Sequence, residues 1–499
     1  MHHVDGRIPW GVKLSYSMGQ AGESVKGWGF NTLLILYYNQ VLGVSGTLTG
    51  IGMFLAVLSD AISDPAVGSW SDGFQSRWGR RHLPMLGSIL PTGLLFFALF
   101  WPPAALGEFQ LFLWFTIASI ALRTSLTFFQ VPYLSLGAEL SQSYVERTRI
   151  VALRLWVGTV ASLFVVFLAW NFFFIKTPET PAPQLAREPY FGFAIASAIV
   201  MCTLMAVGAL GTLRAIPHLA GAHQKARKFD LSRVYHDVYE ALRSQSFRAL
   251  WVGTLTFFIY SGTHGALATH LKTYFWQLDP KGIEYWQYGS IVGALTGIPL
   301  APTFTRLFDK KWTVVIGVVT ACVCGTLPVL FGVLGWMPAD PKVLLWTLVT
   351  LAFIGACIGI QASVAVGSMM GDIADEHELR HGTRQEGIYF GSYSFSAKCT
   401  GAVGNLIAGV VVDLVGLVPG MKPGQVSADV LQSFGLSYFF IALLLVVSIW
   451  FFLPYSLDSR RHRAIVDELQ RKRTPGADVS GRAPGGAEDA RLATISGGK

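Results

Sequence analysis

Ser59-Asp60-Ala61-Ile62-Ser63-Asp64-Pro65 is the stretch on which the chain turns. Residues 48–58 before it are almost wholly apolar. After it come an apolar run over 66–70, then Ser71-Asp72-Gly73 and the basic cluster Arg77, Arg80 and Arg81. Two carboxylates therefore lie inside a segment that reads as a membrane helix. Spaced four apart, Asp60 and Asp64 share one helix face. A single Asp at mid-bilayer costs about 2.5–3.5 kcal/mol even on insertion scales, and two side by side repel. Such a pair must be protonated, salt-bridged or holding a cation.

The rest of the chain agrees with a membrane setting. Of 499 residues, 52% are hydrophobic and only 14% charged, where a soluble protein carries about a quarter; mean hydropathy is +0.47. The expectation is a multi-pass integral membrane protein, placed in a bacterial inner (plasma) membrane and surrounded by lipid. The five cysteines, Cys202, Cys322, Cys324, Cys357 and Cys399, sit in apolar stretches and read as small buried hydrophobes, with spacing that fits no zinc motif. The net charge of +8 is concentrated in loops and tail, which topology explains better than a nucleic-acid partner. Residues 1–13 are polar and no short apolar region with a cleavage site follows, so no signal peptide is expected.

Taking about 20 apolar residues per crossing, twelve spans are expected at 14–41, 47–70, 83–104, 109–138, 149–175, 189–214, 246–276, 285–307, 312–335, 342–370, 385–416 and 433–455. Lys and Arg gather in alternate loops: Arg77, Arg80 and Arg81; Arg147 and Arg149; Lys225, Arg227, Lys228 and Arg233; Arg306, Lys310 and Lys311; Arg380 and Arg384. The positive-inside rule then puts both termini in the cytoplasm. The polar, basic segment 215–245 divides the chain into a six-helix half at 1–214 and another at 246–456. Residues 457–499 read as a cytoplasmic tail, basic and amphipathic near 460–473, then disordered. Weak internal repeats, such as Glu146-Arg147-Thr148-Arg149 against His381-Gly382-Thr383-Arg384, suit two pseudo-equivalent halves around a midplane site, a plan common among secondary transporters. No P-loop pattern is present, which argues against an ATP-driven pump.

The chemistry starts at the acidic pair. Carboxylates are hard oxygen ligands, and two on one face suit Na⁺ or a shared proton. Ser63 adds a hydroxyl, and Pro65 frees a backbone carbonyl one turn back. Thr127 lies in the fourth span, near Gln130 and Pro132; such a threonine either bonds its own backbone or serves as a ligand. Lys398 is the one basic residue deep in the eleventh span, and charge balance turns it toward the acidic pair. A cation and Lys398 would then compete for the same carboxylates; the plainer alternative is a permanent ion pair. Glu23, Lys26, Arg123 and Arg154 are the other charges within or near spans. Lys26 follows Glu23 by three and can pair with it, and Arg154 either snorkels or faces a cavity with a fork of donors. His264 and His270 stand isolated. Tyr16, Tyr37, Trp156, Tyr389 and Tyr393 either stack on a ligand or pack.

Taken together these motifs resemble the glycoside–pentoside–hexuronide cation symporters of the major facilitator superfamily. The likeness rests on Asp60 to Pro65 with Gly68, Asp72 and Gly79-Arg80-Arg81, on Val131-Pro132-Tyr133 through Glu139-Leu140, on Glu146-Arg147-Thr148-Arg149, and on Asp372-Ile373-Ala374-Asp375 followed by Gly382, Arg384, Glu386 and Lys398. It implies an all-α major facilitator fold with twelve helices in two halves. It also implies a coupling cation, Na⁺ or H⁺, on Asp60, Asp64, Ser63 and Thr127, with Lys398 beside it, and no other cofactor. Arg154 matches a cavity arginine, and Asp72, Arg77, Arg80 and Arg81 resemble a cytoplasmic gating motif. Glu23, Ser24, Gln130, Arg154, Tyr393 and Ser394 are the expected substrate-binding set. Where galactoside carriers of the family hold a carboxylate in the first and fourth helices, this chain has Ser24 and Gln130. The sequence is also similar to the sodium-dependent lysophosphatidylcholine symporters around Val131-Pro132-Tyr133.

The expectation is a monomeric cation-coupled symporter, not an enzyme, for a sugar or glycoside, with a lysolipid or other amphiphile as the alternative substrate. A scaffold that has kept the fold without transport would not need the acidic pair and Lys398 together.

Overall fold

Helix is the only regular structure among the described residues. The computed structural model describes residues 8–74, 76, 79–141, 144–213, 242, 244–381, 386–455, 457 and 459–473. The helices are α1 Trp10–Thr32, α2 Gly46–Gly73, α3 Gly79–Phe100, α4 Glu108–Glu139, α5 Tyr144–Leu168, α6 Glu188–Gly211, α7 Gln245–His270 and α8 Pro280–Gly297. They continue with α9 Ala301–Val333, α10 Pro341–His381, α11 Glu386–Leu414, α12 Ala428–Ile441, α13 Leu443–Phe452 and α14 Ser459–Arg473. Most of segment 215–245 and residues 474–499 lie outside the described residues.

Local chemistry sets the boundaries. Ser45, Ser244 and Ser427 accept a hydrogen bond from the third residue on, capping α2, α7 and α12. Asp279 does the same for α8, with Pro280 in the first turn where its missing N–H costs nothing. These caps lie a few residues outside the apolar runs, which is why α8 and α12 begin earlier than apolar length suggests. Asp309, at φ 61° and ψ 162°, breaks α9, so its first eight residues continue α8 through the 3₁₀ turn Ile298–Leu300. By length and composition, nine stretches among the described residues can cross a membrane.

Small residues let the helices close on one another. Tyr16 and Tyr133 stack with ring centroids 4.5 Å apart. Each hydroxyl donates to the other's carbonyl, at 3.2 and 2.8 Å. Gly19 lies under the Tyr133 ring and Gly137 under the Tyr16 hydroxyl, where any Cβ would collide. The residues before 213 and those after 244 meet tightly at one end. There α2 and α11 cross so closely that a methyl group on Gly409 would strike the Gly46 carbonyl. Asp413 accepts from Gly46 N and Thr47 N, both at 2.7 Å. Thr269 donates to the Thr32 carbonyl at 2.7 Å, Tyr274 to Gln40 at 2.9 Å, and Trp170 to Gln287 at 3.1 Å. Three π-helical turns, Tyr37–Val41, Ala169–Phe173 and Leu271–Phe275, finish α1, α5 and α7 at this same end.

At the opposite end several polar ties among the described residues run within one part. Arg81 binds Glu139 at 3.0 Å and Ser71 at 2.7 Å, Lys310 binds Asp372 at 2.7 Å, and Lys13 pairs with Glu146. The Lys13 ammonium holds the Glu146 carboxyl below the usual carboxylate range. The helix α14 lies against α10, with Arg461 reaching Glu376 and His462 reaching Asp375.

The crossing of α2 and α11 admits no side chain. Gly409→Leu is expected to lower the thermal-unfolding midpoint of the purified protein, equivalent to about 1–3 kcal/mol of overpacking. Gly87→Ala, with nothing within 4 Å of the added carbon, should leave the midpoint in place. Equal midpoints in the two variants would refute the tight crossing.

Candidate functional site

Asp60 and Asp64 leave α2 on one face and meet α4 in register. Arg123 sits opposite Asp60 and Thr127 opposite Asp64, each pair with the same sequence separation. The Arg123 guanidinium grips both oxygens of Asp60, with Nε to Oδ1 at 3.1 Å and a terminal nitrogen to Oδ2 at 2.5 Å. Thr127 Oγ1 lies 3.0 Å from Asp64 Oδ1, 3.1 Å from the Arg123 carbonyl, and 3.3 Å from Ser63 Oγ. Lys398, from α11, crosses to bond the other oxygen of Asp64 and stands 3.8 Å from Asp60 Oδ2. Pro65 and Pro132 sit inside α2 and α4 next to these residues, where each removes a ladder hydrogen bond.

The two ion pairs differ in kind. The side chains of Asp60 and Arg123 are only 9% and 14% exposed, whereas those of Asp64 and Lys398 are 32% and 35% exposed. A bidentate guanidinium–carboxylate pair is geometrically fixed. An ammonium on a flexible stem, reached by solvent, is not. Asp64 is therefore the more exposed and less rigidly held of the two carboxylates. Three oxygens, from Asp64, Thr127 and Ser63, converge beside it, a hard-donor set suited to a monovalent cation or a proton. Among the described residues no group of three or more His, Cys, Asp or Glu side chains is placed to hold a metal.

The charge chain continues into α1. The Lys26 ammonium and the Arg123 guanidinium share the Phe30 ring, at 5.6 and 5.4 Å from its centroid. Lys26 is 3.8 Å from Glu23, and Gln20 donates to Glu23 at 2.9 Å. Ser24 packs against Gly158 of α5. Arg154 stands beside the Tyr16 hydroxyl. The buried Nε of Arg154 and the buried Oε1 of Gln130 have no protein partner.

The structure thus brings Asp60, Ser63, Asp64, Thr127 and Lys398 together. Glu23 joins them through Lys26. Arg81 lies elsewhere, bonded to Glu139 and Ser71. Tyr393 packs edge-on against Phe258, 5.8 Å away. Tyr16 and Tyr37 are buried packing residues at 2% and 0% exposure, while Trp156 is exposed. Arg77 lies outside the described residues, as do the side chains of Asp72, Arg80, Tyr389 and Ser394. His264 donates its Nε2–H to the Tyr438 carbonyl at 3.1 Å inside a Tyr260–His264–Tyr438 stack and takes no part in the site. Arg123 is the residue that sequence reasoning left unassigned. The signal was present: Arg123 and Thr127 repeat the four-residue spacing of Asp60 and Asp64, so two facing ladders were legible.

The family description "MFS/sugar transport protein" matches residues 15–459. A glucuronide carrier protein homolog of Escherichia coli is 25% identical over 94% of this chain and 97% of its own length. The sodium-dependent lysophosphatidylcholine symporter 1 of Gallus gallus is 23% identical over 81% of this chain and 78% of its own. Among solved structures, the nucleoside transporter NupG superposes with a TM-score of 0.60 at 13% identity, covering 89% of this chain and all of that one. That likeness is one of fold.

Removing the fixed partner strands a buried acid. Arg123→Ala is expected to cost up to about 3–5 kcal/mol, the range for breaking a buried pair, of which Lys398 recovers part. Arg149→Ala, whose side chain is 60% exposed beside Glu146, should cost no more than about 1 kcal/mol. Thermal unfolding in detergent distinguishes them, and an Arg123→Ala protein as stable as wild type would contradict the assignment.

Proposed function

Since the chain belongs to the MFS/sugar transport family, matched over residues 15–459, we propose that it is a cation-coupled symporter of a sugar or glycoside that works by alternating access. The observation that carries this reading is the position of Asp64. It is shared between Thr127 on one side of the central loop and Lys398 on the other, and solvent reaches it. A coupling cation, Na⁺ or H⁺, takes the place of the Lys398 ammonium on Asp64, using the oxygens of Asp64, Thr127 and Ser63. Asp60 stays held by Arg123 and supplies the second negative charge. Releasing Lys398 loosens α11 from α2, so cation arrival and movement of the two halves become one event. The substrate meets Glu23, Ser24, Gln130 and Arg154; the unpartnered atoms of Gln130 and Arg154 offer an acceptor and a donor to sugar hydroxyls.

The same reading gives twelve crossings in halves 1–214 and 246–456, joined by the 215–245 loop. To the nine apolar stretches are added α1 and α7, which carry charges, and the division of 280–333 at Asp309. The basic loops then face the cytoplasm with both termini. In this orientation the tightly joined end is external and the conformation faces inward. Asp72, Arg77, Arg80 and Arg81 serve as gating charges at the cytoplasmic end, and the membrane is the bacterial inner membrane. The protein acts as a monomer. The likeness to a lysophosphatidylcholine symporter, with Ser24 and Gln130 in place of carboxylates, keeps an amphiphile as the second reading.

Asp60→Asn should abolish cation-driven uptake into proteoliposomes while membrane insertion stays intact; undiminished Na⁺- or H⁺-driven uptake would overturn the coupling role. Lys398→Ala should tighten apparent cation affinity or uncouple uptake from the gradient. A wild-type Na⁺ and pH dependence in that variant would mean that Lys398 and the cation do not compete.

A further inference from the structure

A cavity lies at the tightly joined end, and none of the residues grouped around the acidic pair lines it. Its walls are the segment between α5 and α6, the link between α7 and α8, and the segment between α11 and α12. It encloses about 520 Å³, within the range of small-ligand sites at about 300–1,000 Å³.

Its lining mixes polar and apolar groups, the apolar surface in slight excess, and its formal charges cancel. Gln40, Gln184, Gln277 and Gln425 contribute from four separate segments. Lys176 and Lys422 are matched by Glu179 and Asp279. Amides set among apolar surface suit a ligand with hydroxyl groups on a carbon frame, since an amide meets a hydroxyl with both a donor and an acceptor.

Two of these residues are held at a cost. Gln184 is 1% exposed; its Nε2 reaches Thr273 at a long 3.5 Å, and its buried Oε1 has no protein partner. Leaving a buried acceptor unmet costs about 1–3 kcal/mol. Gln277 occupies the left-handed region, at φ 48°, a conformation that disfavours side chains other than Gly, Asn and Asp. Backbone strain of this sort concentrates at ligand sites. Gln40, by contrast, serves the structure, accepting from Tyr274 and donating to Asn39.

From these observations we propose that this cavity is a second binding site, for an uncharged polyhydroxy compound such as a sugar or sugar alcohol, separate from the site around Asp64. Gln184 and Gln277 carry the recognition. The walls come from both sides of the central loop, so a ligand there touches both and binds only while this end is shut. Binding therefore favours the conformation described, and at high concentration the ligand slows turnover by holding that end closed.

The test uses the full-length protein with Gln425→Cys at the rim, labelled by a maleimide and read by mass spectrometry of the peptide that carries position 425. The probes are methyl α-D-glucopyranoside, lactose and xylitol. With a Kd of about 10 mM, a probe at about 100 mM should slow labelling roughly tenfold. Gln184→Leu should restore the unliganded rate. Gln277→Gly, which keeps the left-handed backbone without strain, should weaken the protection without harming the fold. Arg154→Ala should leave protection intact, because that residue belongs to the other site. The proposal is overturned if none of the three probes slows labelling, if protection survives both glutamine variants, or if it disappears with Arg154→Ala.

Discussion

Two carboxylates in a low-dielectric setting need two positive charges, and how those charges are delivered governs the rest of the molecule. One comes from Arg123, on a helix that already packs against α2. It is planar, bidentate and shielded. The other comes from Lys398, on a helix from the far side of the central loop, and it is compact, flexible and wet. Balance is reached only when α2, α4 and α11 converge. The fold is thereby tied to a bond that water can reach, the one that the proposed coupling cation replaces. A second arginine at position 398 would hold its charge but offer a rigid fork; the ammonium has the geometry of a replaceable ion.

Much of this was legible in the sequence, and the legible part was the energetically costly part. Charges in apolar runs must be explained, so Asp60, Asp64 and Lys398 stood out before any coordinates, while Thr127 gained a role only from the family resemblance. The apolar runs located the helices, and the breaks at Gly43 to Ser45 and at Asp309 fell near where composition changes. Arg123 was visible but unassigned, because a single charge near a span has several easy fates and only its register with Asp60 decides among them. What sequence reasoning did not reach is geometry with no charge signature. The reciprocal Tyr16–Tyr133 bonds, the Gly46–Gly409 crossing and the cavity behind Gln184 all depend on which residues meet across hundreds of positions. Ser24 and Gln130 were named only through the family resemblance, since a neutral polar side chain in a helix carries little penalty and so little information.

The two ends of the molecule are built on different principles. At the end with basic loops, ion pairs such as Arg81–Glu139 and Lys310–Asp372 brace each part internally. At the other end the parts are stitched to each other by backbone contact and hydrogen bonds, some to the Asp413 and Glu284 carboxylates, over π-helical turns that finish three of the helices. Buried polar atoms without protein partners are numerous there: Tyr37 OH, both ring nitrogens of His270, Trp276 Nε1 and Gln287 Nε2. Such atoms regain hydrogen bonds once water reaches them, so the joined end is held shut by shape complementarity against a polar incentive to open.

The cap on α2 carries that contrast into helix chemistry. All four free N–H groups at this helix start are met, Ser45 by Glu108, Leu48 by the Ser45 side chain, and Gly46 and Thr47 by Asp413 of α11. The first turn of α2 thus takes its cap from a different part of the chain. In the proposed alternating-access cycle α11 withdraws with the Asp413 carboxylate, and the turn must fray or hydrate. The amide protons of Gly46 and Thr47 are consequently a built-in clock for separation of the parts: their hydrogen-exchange rate reports how often this end is open, with no label and no ligand required.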